Sequence, residues 1–105
     1  MLINETRVEK ALHYLSNTDF ACAEAKVNAE RFKYVGKRKR AHAILAEDGT
    51  GPVKAARAEI DEDVIEADDS YFNCLEAYEQ MSAKRRTEQL VIEVWRTEQA
   101  NLRKG

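Results

Sequence analysis

Two blocks of opposite charge contain the residues with the clearest chemical potential. Six of the ten residues from 31 to 40 are basic, and they are the candidate nucleic-acid contacts: Arg31, Lys33, Lys37, Arg38, Lys39 and Arg40. Each basic side chain that neutralises a phosphate releases counterions, so such binding weakens as the salt concentration rises. Phe32 and Tyr34 lie inside the block, where aromatic rings could stack on bases. Their heptad-compatible spacing explains both rings more simply as packing residues.

The second block is acidic and offers a competing explanation for the first. Seven of the eleven residues from 59 to 69 are Asp or Glu. If two long helices pair in antiparallel fashion across a bend at 48–61, residue i faces residue ~109 − i, and Arg40 comes near Asp69. The two blocks then neutralise each other in part and fix the register of the helices. Solvated helix faces are therefore the simpler interpretation of both blocks.

The chain offers little for catalysis or metal binding. His13 and His42 lie far apart in sequence, and neither belongs to a Glu-x-x-His pair of the kind that holds a di-iron centre. The run DGTG at 48–51 contains glycines, but no strand precedes it and no Lys-Ser or Lys-Thr pair completes a phosphate-binding loop. We therefore expect a protein that is not an enzyme and has no cofactor, metal or catalytic residue.

The composition is typical of one folded, soluble domain. The chain has 105 residues, of which 44% are hydrophobic and 34% charged, with a formal net charge of −2 at pH 7. No stretch approaches the ~18 apolar residues that a membrane span needs, and residues 1–10 lack an apolar signal core. We expect a cytoplasmic protein with no membrane contact. Cys22 and Cys74 are then expected to be reduced and buried.

Helix-forming residues dominate the sequence and the breaks are few, since the chain has one proline and four glycines. The pattern predicts four helices, at about residues 5–16, 19–47, 52–60 and 62–102. The predicted N-caps are Asn4, Thr18 and Asp61. Gly49 suits the left-handed position after a helix, and Pro52 suits the first turn of the next one.

Apolar residues recur every seven positions along both long helices, which is the repeat of a coiled coil. In the last helix two rows form a seam that Arg85 and Glu88 interrupt: Val64, Tyr71, Tyr78, Arg85 and Ile92, with Ala67, Cys74, Met81, Glu88 and Trp95. The second helix has a bulky row of Phe20, Val27, Tyr34 and Ala41. On the opposite face it has a small row of Cys22, Ala29, Gly36 and Ala43.

These rows predict an all-α fold: an elongated, coiled-coil-like antiparallel helical hairpin with two short accessory helices, forming one domain over residues 1–105. Because a pair of helices buries one stripe per helix, a helix with two apolar faces leaves apolar surface in water unless a second subunit covers it. We therefore expect a homo-oligomer. The predicted core or oligomer seam consists of Phe20, Val27, Tyr34, Val64, Tyr71, Tyr78, Met81, Ile92 and Trp95. The sequence leaves open whether the bulky or the small row forms the interface.

Residues 46–105 contain the runs AEDGTGPVKAARAEI, YFNCLEAYEQ and RRTEQLVIEVWRTEQANLRKG. They resemble small all-helical proteins encoded by tailed bacteriophages and prophages. Those proteins share a long helix, a glycine loop, an alanine-rich short helix and a last long helix that closes on a tail like Val94-Trp95-Arg96. The resemblance implies a phage accessory role in the host cytoplasm, in some cases near DNA recombination or replication functions. It transfers no functional residue.

Two hypotheses follow for the function. The first is a non-enzymatic, self-associating helical protein that supports phage DNA metabolism by binding a protein partner. The alternative is direct binding of nucleic acid through the basic block at 31–40.

Overall fold

The computed structural model describes residues 2–104 and contains three α-helices: α1 (Glu5–Ala46), α2 (Gly51–Glu59) and α3 (Glu62–Lys104). No strand occurs in this range, so the all-α prediction is confirmed. The described chain divides into two compact units. Unit 1 contains residues 2–23 and 79–104, and unit 2 contains residues 24–78. The single helical domain expected over 1–105 stays a prediction.

Helix α1 is continuous through the polar residues where the sequence predicted a break between helices 5–16 and 19–47. Polar side chains at this point satisfy themselves along the helix. Thr18 Oγ1 donates a hydrogen bond to the carbonyl oxygen of Tyr14 at 2.8 Å, and the Asn17 amide lies 2.9 Å from a His13 ring nitrogen. The predicted break is wrong because these side chains bond within the helix instead of ending it. Only one of the two expected short helices, α2, is separate.

The other helix boundaries follow the predicted capping residues. The Asn4 side chain accepts a hydrogen bond from the Arg7 backbone N–H at 2.8 Å at the start of α1. Asp61 Oδ1 accepts from the backbone N–H groups of Asp63 and Val64 at 2.9 and 3.3 Å at the start of α3. Gly49 has φ +118°, a backbone conformation that residues with a side chain rarely adopt. Because glycine adopts it without a steric penalty, the chain can turn there before α2.

In unit 1 the start of α1 packs against the C-terminal part of α3. Val8, Ala11 and Ile92 form the buried cluster, and partly buried hydrophobic residues surround it: Ile3, Leu15, Val91 and Trp95. Residue numbers rise along α1 as those of its contacts fall along α3, so the segments are antiparallel. The start of α1 therefore covers Val91, Ile92 and Trp95 of α3, whereas Leu90 and Val94 are exposed.

In unit 2 the pairing uses small residues of α1. Ala29 and Gly36 are buried, and a Cβ atom added to Gly36 would lie 3.3 Å from Asp68 Oδ1 of α3. Val64 and Ala67 are the buried residues of α3 here, and Ala58 of α2 is buried beside them in the same unit. A helix with small side chains on its inner face lets the other backbone come close. The small row is therefore the inner face of α1 in unit 2.

The predicted seam residues of α3 are buried or partly buried along the whole helix: Val64, Tyr71, Tyr78, Met81, Ile92 and Trp95. Those of α1 are not. Phe20 is 79% exposed in unit 1, and Val27 and Tyr34 are 52% and 59% exposed in unit 2. The bulky row of α1 therefore lies outside the core of the chain, and its predicted place in an oligomer seam stays a prediction. The small row already occupies the inner face, and the bulky row lies roughly 160–200° around the helix from it.

We expect Ile92→Ala to lower the free energy of unfolding by about 2–5 kcal/mol, because it removes buried methyl groups and leaves a cavity. Phe20→Ala is the matched control in the same unit. It removes a larger side chain from the surface and should change the free energy by no more than about 0.5 kcal/mol. Urea denaturation followed by circular dichroism measures both. A loss with Phe20→Ala as large as that with Ile92→Ala would contradict the exposed position of the bulky row.

Candidate functional site

The basic block lies on α1 in unit 2, beside a groove between α1 and α3. Lys33, Lys37 and Arg40 line this groove from α1, and the groove has a volume of ≈ 300 Å³. From α3 it is lined by Asp68, Tyr71 and Phe72. The rings of Tyr71 and Phe72 have centroids 5.1 Å apart and are tilted by 51°. This basic–aromatic groove therefore has one cationic wall and one aromatic wall.

Arg40 is already engaged within the chain. Its Nε donates to Glu59 Oε1 at 2.9 Å, and its Nη2 donates to Asp68 Oδ2 at 2.5 Å. The hydrogen bond to Glu59, together with the nearby charge of Asp68, raises the pKa of Arg40 above its ordinary value. The basic and acidic blocks thus meet at Arg40 and Asp68, one residue from the predicted Arg40–Asp69 pair. Arg40 is the residue of the basic block whose charge the acidic block neutralises.

The remaining basic residues of the block make no ion pair within residues 2–104: Arg31, Lys33, Lys37, Arg38 and Lys39. They do not share one face. Lys33 and Lys37 line the basic–aromatic groove, whereas Lys39 lines other cavities together with Asp63. The Lys37 ammonium lies 5.4 Å from the centre of the Tyr34 ring. Lys33 and Lys37 are therefore the cations of the groove that form no ion pair within residues 2–104.

Phe32 and Tyr34, the two rings that could stack on bases, do not share one face of α1 either. Phe32 is half-buried and lines a cavity with Val35, Ala67 and Ser70, so it packs between the helices of unit 2. Tyr34 is exposed on the outer side of α1. Phe72, which is not among the predicted contact residues, is the exposed ring beside the lysines. Its position follows from the antiparallel register, which brings Lys37 and Phe72 to the same groove.

A partly buried ion pair crosses unit 1 at one of the two interruptions of the α3 seam. Glu88 is only 8% exposed, and its carboxylate accepts two hydrogen bonds from the Arg7 guanidinium, at 2.6 and 2.9 Å. The hydrogen bond from Arg7 lowers the pKa of Glu88 below its ordinary value, and it raises that of Arg7. The sequence marks Glu88 as a polar break in an apolar seam, but it does not identify Arg7 as the partner.

The second interruption, Arg85, also joins the two helices of unit 1. Its guanidinium donates to the Leu15 carbonyl oxygen at 2.7 Å and to Thr18 Oγ1 at 2.6 Å, and it forms an ion pair with Asp19. Its neighbour Lys84 places its ammonium 4.5 Å from the centre of the Tyr14 ring. Arg85 therefore contributes to the pairing of α1 with α3 in unit 1.

Neither histidine lies in an arrangement suited to catalysis. His13 is exposed in unit 1 and contacts Asn17, whereas His42 lines a cavity of unit 2 with Lys39 and Asp61. Within residues 2–104 no group of three or more His, Cys, Asp or Glu side chains is arranged to hold a metal ion. Cys22 and Cys74 are free thiols, each half-buried. In the same range no helix combines the length and apolar character that crossing a bilayer requires.

No protein-family model matches the chain, and neither a curated protein nor a solved structure is detectably similar to it. The resemblance of residues 46–105 to phage proteins therefore stays a prediction.

The Arg7–Glu88 pair makes stability depend on pH in a defined direction. Because the folded-state pKa of Glu88 is lowered, its contribution is complete above the unfolded-state pKa of about 4.3 and is lost as the pH falls through the folded-state pKa. We expect Glu88→Gln to destabilise the protein at pH 7 and to flatten the acid limb of its stability curve. Denaturation between pH 7 and pH 3 measures this.

The exposed Glu93 of the same helix provides a matched control. Glu93→Gln should leave the acid limb as it is in the natural chain. An acid limb that is equally steep in the Glu88→Gln variant would show that the Arg7–Glu88 pair does not stabilise unit 1.

Proposed function

We propose that this protein is a non-enzymatic helical interaction protein that self-associates and binds a protein partner. The supporting observation is the pattern of large apolar side chains that the chain leaves uncovered. In unit 2, Val27 and Tyr34 are exposed one heptad apart on α1, and Ile65 and Phe72, at 46% and 61% exposure, are one heptad apart on α3. Exposed apolar residues that recur along a helix face are typical of a surface that another helix covers.

The biological setting is part of the same proposal. The resemblance of residues 46–105 to small phage proteins favours an accessory factor of a phage or prophage, which acts in the host cytoplasm. The position of such proteins near recombination and replication functions favours a role that supports DNA metabolism through the bound partner.

Light scattering coupled to size exclusion tests self-association directly. The monomer has a mass of 12.0 kDa, and we expect a mass of at least twice this value at micromolar concentration. A 12.0 kDa species over the whole accessible concentration range would overturn the proposal of self-association.

A second candidate function, binding of nucleic acid, is favoured by the groove itself. Lys33 and Lys37 make no ion pair within the described residues and lie in the same groove as the exposed Phe72 ring. Ammonium groups beside an aromatic ring can hold phosphates while a base stacks. The occupant would be single-stranded, because the bases of a duplex are not free to stack on Phe72.

Fluorescence anisotropy with a labelled single-stranded oligonucleotide tests this candidate. Two lysine–phosphate contacts predict that log K falls with log salt concentration with a slope of about −1.4. Lys33→Gln combined with Lys37→Gln should remove that dependence. Absence of binding by the natural chain at low salt would eliminate direct nucleic-acid contact.

A further inference from the structure

We propose that the basic–aromatic groove of unit 2 is the docking surface for unit 2 of a second copy of the chain. In this twofold dimer, α1 of each copy lies against α3 of the other. The inference rests on the proposed self-association, and it adds the surface, the orientation and the contacts that hold the copies together.

Two strips of exposed or partly exposed residues meet the groove, one on α1 with all its residues in the lining and one on α3 that reaches the lining at Phe72. On α1, Lys33, Lys37 and Arg40 are spaced by four and three residues and so share one side of the helix. On α3, Ile65, Asp69 and Phe72 follow the same spacing and are all exposed. One strip is cationic. The other has two large apolar side chains with a carboxylate between them, so each strip carries what the other lacks.

The charges that remain after folding are complementary. Arg40 forms ion pairs with Asp68 and Glu59, so Lys33 and Lys37 are the cations of the groove that have no ion-pair partner within residues 2–104. Asp69 forms no ion pair within residues 2–104. Folding of one chain therefore leaves two cations on the α1 strip and one anion on the α3 strip, and a second chain can satisfy all three.

The register within unit 2 brings these groups to the same level. Gly36 of α1 lies against Asp68 of α3. Along the common direction of the two helices, Asp69 therefore lies between Lys33 and Lys37. A twofold axis parallel to the helices keeps every residue at its own level. Asp69 of the second copy then comes opposite Lys33 and Lys37, and symmetry makes the same contact twice. Ile65 and Phe72 meet the alkyl stems of the facing lysines and lose contact with water.

A second copy fits this surface better than a nucleic acid does. Residues 24–78 contain nine Lys and Arg against twelve Asp and Glu, so unit 2 as a whole repels a polyanion. Asp69, which forms no ion pair within residues 2–104, lies on the α3 strip, where its carboxylate would face the phosphates of a bound nucleic acid. The same carboxylate is an attractive partner when the occupant presents lysines.

A charge-exchange experiment on the full chain tests the dimer. The first variant combines Lys33→Glu with Lys37→Glu, and the second is Asp69→Lys. Each variant alone places like charges in both contacts, so we expect its dimer to dissociate at least about tenfold more readily than that of the natural chain. Mixing the two variants restores opposite charges in both contacts. We expect the mixture to form a heterodimer with an affinity within a few-fold of that of the natural dimer.

Two controls carry the same charge changes at exposed positions outside the strips. Arg31→Glu combined with Arg38→Glu matches the first variant, and Glu66→Lys matches the second. Both should leave the dimer intact. Sedimentation velocity measures all the masses, and circular dichroism checks that each variant is helical. If a reversal unfolds the chain, Lys33→Gln combined with Lys37→Gln replaces it, and the dissociation constant should then lose its salt dependence.

The outcomes separate the two proposals. A monomeric natural chain overturns both self-association and this dimer. A dimer that neither variant weakens, or that the controls weaken equally, overturns the dimer described here and leaves self-association through another surface. Variants that weaken the dimer without recovery on mixing overturn the reciprocal contact between α1 and α3. Loss of oligonucleotide binding in the first variant, with a natural chain that stays monomeric, assigns the lysines to nucleic acid instead.

Discussion

The close approach of α1 to α3 is the constraint on which the rest of the structure depends. Ala11 is buried in one cluster with Val8 and Ile92 in unit 1, Ala29 is buried in unit 2, and a Cβ atom added to Gly36 would lie 3.3 Å from Asp68 Oδ1. Once α1 uses its small row for this contact, its bulky row has no place inside either unit.

Ion pairs determine how the two helices align. Arg7 with Glu88, and Arg85 with Asp19, join α1 to α3 in unit 1, whereas Arg40 joins α1 to both α2 and α3 in unit 2. Charges in or beside a seam are costly to remove from water, and each charge here has a partner across the contact. A shift by one residue would separate these partners. The polar interruptions of the seam thus specify a register that a uniform apolar seam would leave open.

Much of this arrangement is readable from the sequence, and the limits have physical causes. The α3 seam, the Asp61 cap and the Gly49 turn follow from local rules of spacing and backbone conformation. The inner face of α1 does not, because hydrophobicity ranks Phe20, Val27 and Tyr34 above alanine and glycine. Which row is buried depends instead on how closely the partner helix approaches. The break expected at 16–19 fails for a related reason: the environment of Thr18, including Arg85 of α3, is known only from the folded chain.

The same logic explains why the chain leaves large apolar side chains exposed. Because the inner face of α1 is small, the large apolar residues of its bulky row remain outside, and Ile65 and Phe72 of α3 are exposed as well. Under the proposed self-association, a second copy covers Ile65 and Phe72 of this exposed surface.

One pair of identical substitutions tests the inner position of the small row most directly. Ala29 is buried and Ala41 is exposed on α1 in the same unit, so leucine at each position differs only in the face it occupies. The free energy of unfolding, measured by urea denaturation, should fall by about 1–3 kcal/mol for Ala29→Leu and change by less than about 0.5 kcal/mol for Ala41→Leu. A larger loss for Ala41→Leu than for Ala29→Leu would show that α1 packs through its bulky row and would contradict the account.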